Sequence, residues 1–193
     1  GLDARSMKPG SFALLCHALA GCGTVGRGLE RALRGFSLLL DDIDARLVVE
    51  SERARIVISN RIGAVPDTAD ARRFADETLL VMLHGLMCWL AGRRVTLDAA
   101  HWAHPTPPHA DEYRRMFSPQ LAFDAAATAI DFDARLLAAP AASSPSALKA
   151  FLRDAPQSVF LKQTAGPATS DLVRRRCRQA LARGEAPPSL DVL

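Results

Sequence analysis

The sequence predicts an α+β fold, in which a mainly antiparallel sheet built from two hairpins and a single strand packs with helices. Residues 46–50 and 54–59 each alternate apolar and polar side chains around a short polar turn, which is typical of a β-hairpin. Longer segments before and after this hairpin carry apolar residues at helical spacing. Because the strands come in hairpins, the order of elements disfavours a doubly wound α/β fold.

Two helices are predicted at the start of the chain. Pro9 and Gly10 lead into the first helix, Ser11 is its candidate cap and Gly21 ends it. The second helix begins after Thr24, whose hydroxyl suits an N-cap. Its apolar residues share one face and therefore predict burial: Val25, Leu29, Ala32, Leu33 and Phe36.

A long helix is predicted after the first hairpin. Asp67 or Thr68 caps it, and Gly92 ends it. Its first half is amphipathic, whereas its second half, "LLVMLHGLMCWLA", is apolar nearly all round. Since His84 and Gly85 interrupt this apolar stretch, it is too short to span a bilayer and indicates a deeply buried helix.

The remaining strands are shorter. A single strand is predicted with Val95 and Leu97 on one face, and a short helix is predicted around residues 112–117. A second hairpin is predicted to pair residues 121–123 with residues 129–132. Helices are then predicted from about residue 147 onwards.

Composition limits the class of protein. The 193 residues are 49% hydrophobic and carry a net charge of +3, which does not by itself mark a nucleic-acid-binding protein. The four cysteines form no CxxC pair, so they predict reduced thiols in a cytoplasmic protein rather than a disulfide framework or a zinc ribbon. The first ten residues show no signal sequence.

No pattern in the sequence predicts an enzyme or a cofactor. The chain has no nucleophile elbow and no P-loop, and its "GCGTVG" stretch lies between two helices. His101, His104 and His109 lie close together in the sequence, but a strand and a proline-rich turn spread their side chains. The sequence therefore predicts neither a catalytic group nor a metal site.

Four residues are candidates for binding a small molecule. His17 and His84 lie within apolar helices, where a buried imidazole could orient a ligand in a mostly apolar pocket. Trp89 and Trp102 could form walls of such a pocket. The alternative is that all four are ordinary core residues.

The last predicted helix, residues 170–183, is rich in arginine and carries a narrow apolar stripe. The usual interpretation of such a helix is a solvated surface. Two other interpretations stay open: the arginines lie near DNA phosphates, or the stripe packs on a second copy across a dimer. The stripe consists of Leu172, Val173, Cys177 and Leu181.

Two stretches, in this order, resemble AraC-type bacterial transcription regulators of the subgroup with an arabinose-binding-like amino-terminal domain. The first is "MKPGSFALLCHALAGCGTVGRGLERALRGFSLLL", and the second is "HPTPPHADEYRRMFSPQLAFDAAATAIDFDARLLAAP". Ala127 and Thr128 depart from the family's pattern. The positions that follow it are His104, Pro105, Pro107, Glu112, Tyr113, Arg114, Phe117, Phe123, Phe132, Leu136 and Pro140.

The resemblance implies a division of the chain. Residues 1–184 correspond to a regulatory domain for effector binding and dimerisation, truncated at its amino terminus, and residues 185–188 correspond to a linker. Residues 189–193, "SLDVL", resemble the first turn of a helix-turn-helix domain that is otherwise missing. The resemblance thus implies a sensor for an unidentified metabolite, a homodimer, no membrane partner, and DNA contact only through the missing domain. A dimerisation module without a ligand is the alternative.

Overall fold

Five strands form one mixed sheet that is mostly antiparallel, in the order β1-β2-β5-β3-β4, which confirms the predicted fold class. The structure is a computed structural model and describes residues 3–4, 7–63, 68–142 and 144–153. The strands are β1 (Ile43–Glu50), β2 (Arg53–Asn60), β3 (Ala99–His101), β4 (Leu121–Ala122) and β5 (Ala129–Asp133).

The first hairpin forms as predicted, with longer strands. β1 and β2 pair antiparallel along their whole length, from Ile43 opposite Asn60 to Glu50 opposite Arg53. The connection is the two-residue turn Ser51-Glu52, in which Ser51 adopts a φ of 54°. This left-handed conformation is the one that tight hairpin turns require.

The predicted second hairpin is wrong, because its two strands do not pair with each other. β4 pairs in parallel with β3 at the edge of the sheet, whereas β5 lies between β2 and β3. The connection crosses the end of β3, where the Asp124 amide donates to the His104 carbonyl and the Ala125 amide donates to the Trp102 carbonyl. These long-range bonds override the local hairpin pattern.

Five α-helices and one 3₁₀ helix accompany the sheet in the described part of the chain. Gly10, with a φ of 90°, precedes the first helix, so Ser11 is its first residue rather than its cap. Thr24 caps the second helix as predicted, since its hydroxyl accepts from the Arg27 amide. The helices are α1 (Ser11–Leu19), α2 (Val25–Leu39), α3 (Thr68–Ala91), α4 (Ala110–Met116), a 3₁₀ helix (Ala134–Ala138) and α5 (Pro145–Arg153).

Helix α3 is the central element of the core. By length and composition its segment Ala69–Ala91 could cross a membrane, but most of its second half is buried inside this domain. It ends at Gly92, whose φ is 64°. The Gly92 amide donates to the Trp89 carbonyl and the Arg93 amide donates to the Cys88 carbonyl, which is the Schellman arrangement.

The predicted apolar face of α2 is buried between α3 and the sheet. All five of its residues are at most 6% exposed. Val95 and Leu97 are also buried, although they precede β3 instead of lying on a strand. The core therefore follows the hydrophobic periodicity even where the element differs.

Helix α5 packs into the core through Phe151, which contacts Phe12 on α1 at 6.3 Å and Trp89 on α3 at 5.1 Å between ring centroids.

The predictions for the chain after residue 153 lie outside the described residues. The predicted helix at residues 170–183, the linker at 185–188 and the segment 189–193 all follow the last described residue. They stay predictions.

The thiol of Cys16 is expected to resist alkylation in the folded protein. Its side chain has no exposed surface, and burial raises its pKa to about 12, so the reactive thiolate is scarce near neutral pH. Iodoacetamide labelling followed by peptide mass analysis should modify Cys16 only after denaturation. Rapid labelling in native buffer would contradict this burial.

Candidate functional site

Five aromatic side chains from three neighbouring segments form one group beside strands β3 and β4, at one end of the sheet. We call it the aromatic cluster. Trp102 stands edge-on to Tyr113 at 4.7 Å and to Phe117 at 5.1 Å between ring centroids. Its members are Trp102, His104, Tyr113, Phe117 and Phe123.

The local sequence explains why these rings meet. Trp102 follows β3 directly, and its amide donates to the Ala122 carbonyl, which fixes the chain against β4. Tyr113 and Phe117 are four residues apart at the end of α4, so they project from the same side of the helix. The ring centroid of His104 lies 5.5 Å from that of Trp102 and 5.8 Å from that of Phe123.

Two polar ring atoms of the aromatic cluster are buried without a hydrogen-bond partner in the described part of the chain. They are Trp102 Nε1 and His104 Nε2. His104 Nδ1 lies 2.9 Å from the Pro105 carbonyl oxygen and therefore donates to it, which leaves Nε2 as an acceptor. Buried polar atoms usually have partners, so an unmatched donor and an unmatched acceptor on neighbouring rings require an explanation.

Tyr113 connects the aromatic cluster to the core helix. Its hydroxyl donates to Glu77 Oε1 of α3. Burial raises the pKa of Tyr113, and the hydrogen bond to Glu77 raises it further. Tyr113 therefore stays a neutral donor over the physiological range.

A buried hydrogen-bond network around the Asp76 carboxylate lies next to the aromatic cluster. Asp76 of α3 accepts from Asn60 Nδ2 at 2.7 Å and from the Thr128 hydroxyl at 2.5 Å. The Thr128 oxygen in turn accepts from the Ala103 amide, one residue after Trp102. The network therefore joins α3 to the end of β2 and to the segment that carries the aromatic cluster.

Of the four predicted ligand residues, the structure brings His84 and Trp102 close to a common neighbour. His84 is fully buried on α3, and its Nε2 lies 2.9 Å from the Val95 carbonyl oxygen. Its ring centroid is 6.4 Å from that of Phe117, which also contacts Trp102. The two predicted residues thus share Phe117 as a neighbour.

The other two predicted residues lie elsewhere. His17 is exposed on α1, so the expectation that it is buried was wrong. The imidazole lies on the solvent-facing side of the short helix, which also carries the exposed Leu14. Trp89 is buried and stacks on Phe151 with an interplanar angle of 16°. Whether any of the four contacts a ligand stays a prediction.

A polar cluster that the sequence did not predict lies on the face of the sheet opposite the α2 and α3 helices. Asp131 on β5 is 3% exposed and accepts from Arg55 on β2 at 2.5 and 2.7 Å. His101 Nε2 on β3 lies 3.1 Å from Asp131 Oδ2. Cross-strand pairing places Asp131 opposite Arg55 and Ala99. Predicting the cluster would have required the register of β5, which the sequence did not predict.

Replacing Asp131 by asparagine is expected to destabilise the domain by about 1–2 kcal/mol near neutral pH. Burial alone would raise the pKa of Asp131, but hydrogen bonds from Arg55 and His101 hold it below its usual range. A depressed folded-state pKa stabilises the fold above the unfolded value of about 3.9. The contribution is lost as the pH falls through the folded-state pKa.

Urea unfolding of the wild type and D131N across a pH series would measure this difference. It should be constant above about pH 5 and should shrink below the unfolded pKa of about 3.9. A difference that persists undiminished in acid would mean that the ion pair is not its source.

Two open grooves lie on the surface, away from the aromatic cluster. One, of about 360 Å³, runs between α2 and the outer edge of β1. The other, of about 520 Å³, surrounds the turn of the first hairpin. Neither is lined by His84 or Trp102.

Three comparisons with known proteins agree. Residues 1–141 match the model of the arabinose-binding N-terminal domain of AraC transcription regulators. An ornithine utilization regulator from Pseudomonas aeruginosa is 26% identical over 122 residues, which cover 62% of this chain and 34% of that protein. The chain therefore spans about a third of the length of this relative.

The fold is also similar to a solved structure. The crystal structure of the transcriptional regulator CdpR from Pseudomonas aeruginosa matches with a TM-score of 0.53 and 19% identity, covering 90% of this chain and 63% of that one. At this identity the likeness concerns the fold alone. On the match over residues 1–141, the chain belongs to the family of arabinose-binding N-terminal domains of AraC transcription regulators.

Proposed function

We propose that this domain senses a small-molecule effector and thereby controls DNA binding by a helix-turn-helix domain outside this chain. The match of residues 1–141 to the regulatory domain of AraC-type regulators carries the proposal. The relatives are transcription regulators rather than enzymes. A cytoplasmic location is what such a role requires.

The aromatic cluster is the proposed effector site. Its walls are apolar rings, and its unmatched polar atoms are one donor, Trp102 Nε1, and one acceptor, His104 Nε2. A ligand group that both accepts and donates, such as a carboxylic acid, an amide or a hydroxyl, would satisfy both atoms. Mostly apolar walls with a few convergent polar groups are typical of small-molecule sites.

The same site is connected to elements that a ligand could move. Trp102 and His104 lie on the segment that the Asp76 network holds to α3, and Tyr113 holds α4 to α3. A ligand that fits one arrangement of these segments better would shift the population towards it by no more than its differential affinity. We propose that this shift is the signal passed to the DNA-binding domain.

A thermal-shift screen of amino acids, sugars and fatty acids tests the proposal. Ornithine is the first compound to test, because a relative is named for ornithine utilization. An effector should raise the melting temperature in a saturable way, since it binds the folded state alone. Trp102→Phe, which removes the unmatched N–H, should weaken the shift, whereas the control Trp89→Phe should not.

If no compound in the screen raises the melting temperature and calorimetry detects no binding, the sensing proposal fails.

The chain alone is also expected to show no sequence-specific gel shift. A specific shift at nanomolar concentration would overturn the assignment of DNA binding to another domain.

A dimerisation module without a ligand is the second candidate. The complete burial of Trp102 favours it, because a filled cluster leaves a ligand little room. In this case the stripe Leu172, Val173, Cys177 and Leu181 is the proposed contact between two copies. A dimer by light scattering together with a blank thermal-shift screen would support this candidate over the sensor.

A further inference from the structure

We propose that the groove between α2 and the outer edge of β1 binds a zwitterionic α-amino acid with an aliphatic side chain. Such a site is separate from effector sensing at the aromatic cluster, which contributes no residue to this groove. The groove has a volume of about 360 Å³, which lies within the usual range of roughly 300–1,000 Å³ for small-molecule sites. Its charged lining residues are Glu30, Arg34, Asp44 and Arg46.

Each wall of the groove carries one acidic and one basic side chain. On α2, Glu30 and Arg34 are four residues apart and therefore lie on the same side of the helix. On β1, Asp44 and Arg46 are two residues apart and therefore project from the same face of the strand. A bound molecule would thus meet a carboxylate and a guanidinium on both sides.

These four charged side chains have no ion-pair partner in the described part of the chain. Other exposed arginines there do pair with nearby acids, as Arg114 does with Asp111 and Arg115 does with Glu112. The four groove residues form no ion pair with one another or with any other described residue. Two carboxylates and two guanidiniums are therefore available to bind the ammonium and the carboxylate of one zwitterion.

The groove also contains apolar side chains, which are Leu33 of α2 and Leu47 and Val49 of β1. Val49 is 52% exposed, although it lies on the same face of β1 as the buried Ile43 and Ala45. An aliphatic group of a ligand would remove this apolar surface from water, which is favourable. A zwitterionic head group together with an aliphatic side chain describes an amino acid such as leucine.

Titration with L-leucine, followed by heteronuclear NMR, tests the site. Backbone amide signals of residues 30–37 and 44–49 should shift in a saturable way. Two analogues separate the two charges, because 4-methylpentanoic acid lacks the ammonium group and 3-methylbutylamine lacks the carboxylate group. Each analogue should bind at least about fivefold more weakly than L-leucine, since each loses one set of ion pairs.

Variants with matched controls separate the groove from the rest of the surface. Arg34→Gln and Glu30→Gln should each weaken the binding of L-leucine by about fivefold. The controls are Arg27→Gln, on the same helix, and Glu52→Gln, and neither residue lines the groove, so both should leave the affinity unchanged. All four positions are exposed, so the variants should fold, which circular dichroism would check.

Three results would overturn the proposal. The first is the absence of saturable shifts, and the second is equal affinity for L-leucine and both analogues. The third is an equal loss of affinity for Arg34→Gln and Arg27→Gln, which would reduce the binding to the general charge of the helix.

Trp102→Phe distinguishes this site from the aromatic cluster. The variant should leave the binding of L-leucine to the groove unchanged, and a loss of binding would place the ligand at the aromatic cluster and contradict the groove site. A blank titration with L-leucine leaves effector sensing at the aromatic cluster intact. Conversely, a thermal shift that does not depend on Trp102 counts against the aromatic cluster alone.

Discussion

Replacing Trp102 by alanine is expected to destabilise the domain by about 3–5 kcal/mol, as large-to-small changes of buried aromatic residues do. Trp102 has no exposed surface and contacts Tyr113 and Phe117 edge-on. Since small domains are stable by only about 5–15 kcal/mol, this loss would remove a large part of the free energy of unfolding. Urea unfolding followed by circular dichroism would measure the loss.

Trp102→Phe is the matched control for this prediction. Phenylalanine retains an aromatic ring and removes an N–H that has no partner in the described part of the chain. The loss should therefore be less than half of that for alanine. Equal losses for the two variants, or a loss below about 1 kcal/mol for alanine, would contradict the packing described for the aromatic cluster.

Replacing Asp76 by alanine is expected to have the second largest effect, a loss of about 2–4 kcal/mol. The change removes the acceptor for both Asn60 and Thr128. The Thr128 hydroxyl would then lack its acceptor, and Asn60 Nδ2 would keep only its bond to the Arg72 carbonyl. The segment that leads to Trp102 would lose its connection to α3. The free energy of unfolding in urea would again be the measurement.

Two further variants distinguish the loss of the Asp76 hydrogen bonds from a general effect of removing an acidic side chain from α3. Asp76→Asn retains one carbonyl oxygen as an acceptor and should lose roughly half as much as alanine. Asp70→Ala, on the same helix, removes an exposed pair with Arg73 and should cost less than about 0.5 kcal/mol. Similar losses in the free energy of unfolding for the alanine variants at positions 70 and 76 would show that the buried hydrogen bonds of Asp76 are not the cause of its effect.

The sequence predicted the helices and the first hairpin because their signals are local. The apolar face of α2, its Thr24 cap and the stop at Gly92 depend on residues within a few turns of one another, and the structure confirms all three. The hairpin of β1 and β2 was equally local, since two turn residues connect the strands.

The remaining sheet could not be predicted from local patterns. β4 and β5 have strand-like sequences close together in the chain, but bonds from Asp124 and Ala125 to residues about twenty positions earlier direct β5 between β2 and β3. The Arg55–Asp131–His101 cluster follows from that placement, so it was missed together with it.

Among the candidate ligand residues, the sequence identified side chains but not their environments. His84 and Trp102 were predicted as candidates, and both lie next to Phe117. His17 was placed on an apolar helix of nine residues, too short to indicate which side faces the core, and it is exposed. The unmatched atoms of Trp102 and His104 emerge only from the three-dimensional packing.

A chimeric reporter measures the proposed regulatory role most directly. This chain would be joined to the helix-turn-helix domain of an AraC-type regulator whose promoter is known, and the chimera would be tested on that promoter. Reporter output should change when an effector found by thermal shift is added, and Trp102→Phe should reduce the response while expression of the chimera stays constant. Unchanged output with every stabilising compound, from a chimera shown to bind the promoter, would contradict a sensing role for this domain.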